Sequence, residues 1–139
     1  MPERLALVVA LAAVLTVAVL CTRRWNAQRI HVVQQGVPNW DALGVQPDGR
    51  STLIAFSTPS CAACHKAQAP AIDIARTQLG DEVVRVIPVD AASTPRAVEA
   101  FGILTVPSTV VVAASGSQIV AVNQGFAPSA RLVEQLQHA

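Results

Sequence analysis

Residues 58–65, Thr-Pro-Ser-Cys-Ala-Ala-Cys-His, contain two of the three cysteines of this chain. An apolar stretch, residues 52–56, leads into them, and an alanine-rich stretch, residues 66–79, follows. This pattern predicts a strand, a turn and a helix. A thiol at a helix start meets unpaired N–H groups and the positive end of the helix dipole, which lower its pKa. Because the second cysteine lies about one helical turn later, the pair is suited to reversible dithiol–disulfide exchange.

Length and composition limit the rest of the chain to one folded domain. Of the 139 residues, roughly 110 remain beyond an apolar N-terminal segment, enough for one core. Residues 1–29 carry four arginines and one glutamate, whereas residues 30–139 carry six basic and eight acidic residues. A folded part that is not basic and has few aromatic residues argues against binding to nucleic acid. Three cysteines are too few for a disulfide scaffold.

The N-terminal segment is predicted to be a membrane anchor. Residues 5–20 contain only Leu, Ala, Val and one Thr, and extending them to residue 22 gives about 27 Å of helix. A bilayer core is about 30 Å thick. The alternative is a cleaved signal peptide, but its apolar stretch is usually about 7–15 residues and no Ala-x-Ala site follows here. We therefore expect a retained anchor over residues 1–22 and a basic stem over residues 23–29.

The flanking charges bear on which side of the membrane the domain lies. Arg23, Arg24 and Arg29 follow the apolar run, whereas one arginine beside a glutamate precedes it. Because the more basic flank tends to stay in the cytoplasm, these residues favour a cytoplasmic domain. An extracytoplasmic domain remains the alternative.

The remaining chain alternates between strand-like and helix-like stretches. Apolar runs bounded by Gly, Pro, Asn and Ser predict strands, and a short turn of helix is expected at residues 40–43. Pro70 is expected to kink the helix that follows the cysteines. The order predicts an α/β fold, a central mixed β-sheet flanked by helices. The predicted strands are residues 29–33, 52–56, 82–90, 108–113 and 118–122, and the longer helices are residues 66–79, 95–102 and 128–137.

Two motifs and the element order make residues 30–139 resemble the thioredoxin superfamily. Residues 61–64, Cys-Ala-Ala-Cys, follow an apolar strand, and residues 106–109, Val-Pro-Ser-Thr, precede a predicted hairpin. Residues 101–103, Phe-Gly-Ile, stand before that proline at the family's spacing. The resemblance implies a thioredoxin fold over residues 30–139, with a cis peptide bond before Pro107 that faces the two sulfurs.

The resemblance also implies an activity and a site. Cys61 would attack a substrate disulfide, and Cys64 would resolve the mixed disulfide and leave a Cys61–Cys64 disulfide. The substrate groove would include Val106 and Pro107, together with Ser60 and Gly125. The partners implied are proteins that carry thiols or disulfides. No cofactor and no metal are expected.

The site departs from the family's usual pattern. Ser60 replaces the tryptophan that usually precedes the first cysteine, and two alanines replace the Gly-Pro between the cysteines. Ala55 stands where the family has a buried aspartate, and Val86 stands at about the position of its lysine partner. Cys64 therefore lacks the base that the family supplies. These changes predict a specialised member whose substrate and electron donor the sequence leaves open.

Three further residues attract attention near this site. His65 follows the second cysteine and is a candidate to tune its chemistry, although successive helix side chains point about 100° apart. Trp40 is expected in the core or at a rim, where it could replace the missing tryptophan. Pro70 lies one residue further from the second cysteine than is usual in the family.

Two other functions stay open at this stage. Residues 61–65, Cys-Ala-Ala-Cys-His, also match the attachment motif of a c-type haem, with His65 as the axial ligand. The only methionine is Met1, and the flanks predict strands rather than the helices of such cytochromes. The other alternative is a thioredoxin-fold binding module that does not turn over. A zinc site would need more ligands, and His31 and His138 are distant in sequence.

Overall fold

The computed structural model describes residues 1–34 and 36–139, and for residues 26–34 it describes the helical backbone alone. The described chain forms two compact units, residues 1–32 and residues 33–139. The first is helical, and the second contains a β-sheet with helices packed on it.

A single long helix, α1, occupies the N-terminal part of the chain and spans Pro2–Gln34. Its first part, Pro2–Trp25, is long and apolar enough to cross a membrane, and a signal sequence would meet the same criterion. The strand predicted over residues 29–33 is wrong, because the backbone there continues α1. Extending an existing helix by one residue adds a hydrogen bond without a new nucleation cost, which favours helix over an isolated strand.

The sheet of the second unit has four strands in the order β2-β1-β3-β4. The two strands β1 and β2 run parallel, and the other two neighbouring pairs are antiparallel, so the predicted mixed sheet is confirmed. Each observed strand overlaps a predicted one. The strands are β1 Ser51–Ser57, β2 Val84–Asp90, β3 Ser108–Val112 and β4 Ile119–Gln124.

Short helices connect these strands. The Asn39 side chain accepts a hydrogen bond from the Ala42 N–H at 3.1 Å and so caps α2. The helix after the two cysteines has two parts, a π-helical turn and the α-helix α3. The helical elements are α2 Trp40–Leu43, the π turn Cys64–Gln68, α3 Ala69–Leu79, α4 Pro95–Ala100 and α5 Ser129–Gln137.

The core consists of two apolar clusters, one on each face of the sheet. Successive strand residues point to opposite faces. Leu53 accordingly packs with residues of α3 and α5, whereas Ile54 and Phe56 pack with residues around α4. The rings of Phe56 and Phe101 lie 6.0 Å apart between centroids. This double cover explains why β1 is apolar at consecutive positions.

Pro88 lies inside β2 without disrupting the sheet. It pairs with Ala55, and β2 is an edge strand that has β1 as its one neighbour. A proline is tolerated on an edge because its missing N–H would face away from the ladder.

Candidate active site

The two cysteines lie just after β1, with Cys61 in the turn and Cys64 as the first residue of the π turn. The Cys61 N–H donates to the Thr58 carbonyl at 3.1 Å, and helical backbone begins at Ala62. Cys61 and Cys64 form a disulfide, with their Cα atoms 5.3 Å apart. The strand, turn and helix predicted around the cysteines are therefore confirmed.

The two sulfur-bearing residues differ in exposure. Cys61 is partly exposed, whereas Cys64 is only 4% exposed. The Cys64 N–H also donates to the Cys61 Sγ at 3.1 Å. An N–H aimed at a sulfur stabilises negative charge on it, so the same contact would favour a thiolate at Cys61. An incoming disulfide can thus reach Cys61 from solvent, while Cys64 is shielded.

The segment before β3 forms a second side of the site. The Val106–Pro107 peptide bond is cis, as the resemblance implied. Pro107 is buried and lines a cavity together with Cys64. Val106 is partly exposed. None of the hydrogen bonds found within the described ranges, 1–34 and 36–139, uses the N–H or C=O of Val106.

A cavity of about 200 Å³ lies beside the buried sulfur of Cys64. Ala55 and Val86 line it, at the two positions where the family would have an acid and a lysine. Asp73 of α3 is the acidic residue among its lining residues. The small and apolar side chains of β1 and β2 therefore leave open space where the family's ion pair would stand, and the acid that lines the cavity comes from another element, α3.

A π turn joins the second cysteine to α3. The Ala69 N–H donates to the Cys64 carbonyl, five residues earlier, instead of the four of an α-helix. Pro70 then falls in the first turn of α3, directly after the π turn. The extra residue in this turn accounts for the unusual distance between Cys64 and Pro70. The structure shows a change of helix type just before the proline at which the sequence predicts a kink.

Gln68, which the sequence analysis did not single out, fastens this turn to the loop after β4. Its side chain is 3% exposed. The Nε2 group donates to the Ala127 carbonyl at 3.0 Å, and Oε1 accepts from the Ala127 N–H at 2.9 Å. The two residues are 59 positions apart, so local sequence gives no sign of this contact.

His65 lies beside the cysteine turn. Its Nε2 is 3.2 Å from both the Thr58 and the Pro59 carbonyl oxygens, so an N–H at this nitrogen donates to the turn. His65 also lines the cavity beside Cys64. The structure therefore brings His65 to the site, with one ring nitrogen directed at the backbone.

Trp40 is placed elsewhere in the domain. It is buried, and its Nε1 donates to the Gly116 carbonyl at 2.7 Å in the β3–β4 turn. That turn lies at the opposite end of β3 from Pro107. The structure thus does not bring Trp40 to the two cysteines. Its side chain instead packs in the buried core and donates a hydrogen bond to the β3–β4 turn.

The other two predicted groove residues are small and lie on loops. Ser60 is exposed and directly precedes Cys61. Gly125 follows β4 with φ +89°, a backbone conformation that favours glycine. Apart from Gly125 itself and its two chain neighbours, no described residue has an atom within 4 Å of where a Cβ would stand at this position.

Comparison with known proteins gives one family match and many structural matches. The family model described as Thioredoxin matches residues 32–138. No curated protein sequence matches the chain. Chloroplastic thioredoxin z is 20% identical, with a TM-score of 0.56 over 65% of this chain and 78% of its own.

Two further solved structures have similar scores. Oxidized mitochondrial thioredoxin 3 from Saccharomyces cerevisiae is 16% identical, with a TM-score of 0.55 over 81% of this chain and 89% of its own. A mutant thioredoxin from Halobacterium salinarum is 19% identical, with a TM-score of 0.55 over 68% of this chain and 79% of its own. At these identities the structural matches establish a shared fold.

Proposed function

This chain belongs to the thioredoxin family, and from that premise we propose that it is a membrane-tethered thiol–disulfide oxidoreductase acting on protein thiols and disulfides. The observation that carries the proposal is the unequal exposure of two bonded sulfurs. Cys61 is open to solvent and accepts an N–H from Cys64, whereas Cys64 is 4% exposed. This asymmetry suits one cysteine to attack and the other to resolve.

The exchange proceeds in two steps. In the reduced protein, the Cys61 thiolate attacks one sulfur of a substrate disulfide, the substrate S–S bond breaks, and the departing thiolate takes up a proton. The Cys64 thiol then loses its proton and attacks the Cys61 sulfur, which releases the second substrate thiol and forms the Cys61–Cys64 disulfide. Two electrons pass from the protein to the substrate, and the reverse sequence oxidises a substrate dithiol.

The segment before β3 supports binding of an extended substrate chain. Val106 is partly exposed and its N–H and C=O have no partner within the described residues, so both are available to a passing backbone. Pro107 beside it contributes a buried apolar wall near Cys64. Ser60 and Gly125 would leave room at the edges of this groove, because neither has a bulky side chain.

The membrane tether is the second part of the proposal. Residues 1–22 would anchor the protein, residues 23–29 would form a basic stem, and residues 30–139 would form the thioredoxin-like domain. Support comes from the length and apolar composition of Pro2–Trp25. Arg23, Arg24 and Arg29 favour a cytoplasmic domain. Reporter fusions at the C-terminus, with alkaline extraction of membranes, test the tether and its orientation.

Insulin reduction by the full chain in detergent, with dithiothreitol as reductant, tests the exchange activity. We expect turnover by the wild-type protein and its loss in Cys61→Ser. Cys21→Ser is the matched control, because Cys21 lies in α1 outside the disulfide and its loss should leave turnover unchanged. Equal inactivity of the wild type and Cys61→Ser with several reductants would contradict the proposal and favour a binding module. A haem-stained band from the wild type would instead favour the c-type haem carrier.

A further inference from the structure

Gln124, the last residue of β4, forms hydrogen bonds to the loop that carries the cis proline. Its Oε1 accepts from the Leu104 N–H at 3.1 Å, and its Nε2 donates to the Gly102 carbonyl at 2.9 Å. Its Oε1 also lies 3.2 Å from the Ser108 hydroxyl. One side chain therefore spans both ends of residues 102–108, which we call the Pro107 loop.

Within the described residues, the Pro107 loop has one internal hydrogen bond, and the N–H groups of Gly102 and Ile103 donate to the Glu99 and Val98 carbonyls of α4. The Ser108 hydroxyl donates to the Thr105 carbonyl at 2.6 Å. Together with the bonds to Gln124, this contact uses polar groups of Gly102, Leu104 and Thr105. The N–H and C=O of Val106 take part in none of the hydrogen bonds found in the described part of the chain. The network fixes the loop on both sides of Val106 and leaves Val106 itself open.

The position of Gln124 in the sheet explains how it reaches this loop. It pairs with Ser108 across β3 and β4, at the end of the sheet where β3 begins. Alternate residues share a face, so Gln124 lies on the same face as Val122. Val122 and Ile103 belong to one buried cluster. Gln124 thus places a polar amide at the end of an apolar face, next to the backbone of the loop.

We infer that Gln124 is a positioning residue for substrate binding: it holds the Pro107 loop so that the backbone of Val106 is ready to pair with an extended substrate segment. The inference rests on the proposed function and adds a residue to it. A loop that is already ordered loses less conformational entropy when a peptide binds. Loss of the Gln124 side chain should therefore raise KM for peptide disulfides. It should not affect the reaction with a small disulfide that contacts Cys61 alone.

Asn123 provides a matched control on the same strand. Its Nδ2 donates to Thr109 Oγ1 at 3.0 Å and to Gln135 Oε1 at 2.8 Å, and its Oδ1 accepts from Gln135 Nε2 at 3.0 Å. These contacts reach Thr109 of β3 and Gln135 of α5, and none of them involves residues 102–108. Asn123→Ala removes a similar amount of hydrogen bonding from β4 without touching the loop.

The test compares Gln124→Ala, Asn123→Ala and the wild type as full chains in detergent. The substrates are an extended peptide disulfide and bis(2-hydroxyethyl) disulfide. We expect Gln124→Ala to raise KM for the peptide about 5–10-fold with kcat retained, since a net hydrogen bond corresponds to about 1 kcal/mol. The rate of Gln124→Ala with the small disulfide should equal that of the wild type. Asn123→Ala should change neither KM for the peptide disulfide nor the rate with the small disulfide.

Each other outcome has a definite meaning. If the wild type is active and Gln124→Ala has the KM of Asn123→Ala, or loses activity equally with both substrates, this inference is overturned and the proposed function survives. If the wild type is inert with both substrates, the proposed function falls and takes the inference with it. If Gln124→Ala does not fold, Gln124→Glu replaces it under the same criteria, because its carboxylate keeps the acceptor for Leu104 and loses the donor to Gly102.

Discussion

At the scale of single residues, Cys61 and Cys64 differ in their surroundings, and this difference defines the site. Cys61 has solvent on one side and the Cys64 N–H on the other. Cys64 borders a cavity lined by Ala55 and Val86, with Asp73 as its acidic lining residue. The resolving thiol therefore lies beside space and apolar side chains where the family would supply a charged pair. This local difference supports a specialised member of the family.

Gln68 yields a stability prediction at this scale. Gln68→Ala removes both hydrogen bonds to the Ala127 backbone and leaves a buried N–H and C=O without partners. Each unsatisfied group costs about 1–3 kcal/mol, so for the two groups we expect a loss of about 2–6 kcal/mol in the free energy of unfolding. Urea denaturation measures it. Lys66→Ala, an exposed site in the same π turn, should change the midpoint little, and equal midpoints for the two variants would refute the role of Gln68.

At the scale of elements, the π turn connects the cysteine turn to α3. Its extra residue lets Cys64 keep its place beside Cys61 while Pro70 falls in the first turn of α3. The buried face of α3, which includes Ile72 and Ala75, then packs on the sheet. We interpret the π turn as a one-residue insertion that is absorbed within one turn.

Deletion of Ala67 tests this interpretation of the π turn. Removing one residue lets α-helical bonding run from Cys64 into α3 with the buried face of α3 in register, so we expect a folded protein that still forms the Cys61–Cys64 disulfide. Deletion of Ala75 is the control, because it rotates the rest of α3 by about 100° and should unfold the domain. Circular dichroism melts and thiol titration distinguish the two. A folded Ala75 deletion beside an unfolded Ala67 deletion would refute the interpretation.

A charged cluster beside β1 and β2 makes stability depend on pH. Arg50 Nε donates to Asp48 Oδ2 at 3.0 Å, and a nitrogen of Arg85 lies 3.6 Å from the same oxygen. The hydrogen bond from Arg50 holds the pKa of Asp48 below its usual value. A lowered folded pKa stabilises the fold at neutral pH, and this contribution is lost as the pH falls through the folded pKa.

The variant Asp48→Asn should therefore be less stable than the wild type at pH 7, and the difference should narrow below about pH 4. Urea midpoints at pH 7 and pH 3 measure it. Glu134→Gln, an exposed site on α5, should show no such narrowing. A difference for Asp48→Asn that is the same at both pH values would contradict the role of this carboxylate.

The sequence predicts correctly those strands that are marked by a run of neighbouring apolar residues. The four strands of the sheet were anticipated because apolar runs such as residues 52–56 are covered on both faces. The strand predicted at residues 29–33 is wrong, because these residues continue a helix that begins at Pro2. The contacts of Gln68 and Gln124 join residues far apart in the chain, so no local pattern reveals them. The extra residue between Cys64 and Pro70 is a sign of the π turn, but the spacing alone does not identify the type of helix.

At the scale of the whole molecule, an apolar helix and a thioredoxin domain follow one another in one chain. The helix is suited in length and composition to a membrane or to a signal sequence, and residues 33–139 form a separate compact unit. A tether would limit the substrates to disulfides that come near the membrane. The domain would then perform the same two-step exchange on a restricted set of partners.

Trapping the mixed disulfide tests the proposed exchange most directly. The reduced full chain carrying Cys64→Ser is mixed with a peptide disulfide, and peptide mapping by mass spectrometry locates the bound peptide. We predict one adduct, on Cys61, and for the wild type no lasting adduct but a Cys61–Cys64 disulfide with both peptide thiols released. An adduct on Cys21 instead, or equally fast capture by Cys64 in the Cys61→Ser variant, would contradict Cys61 as the nucleophile.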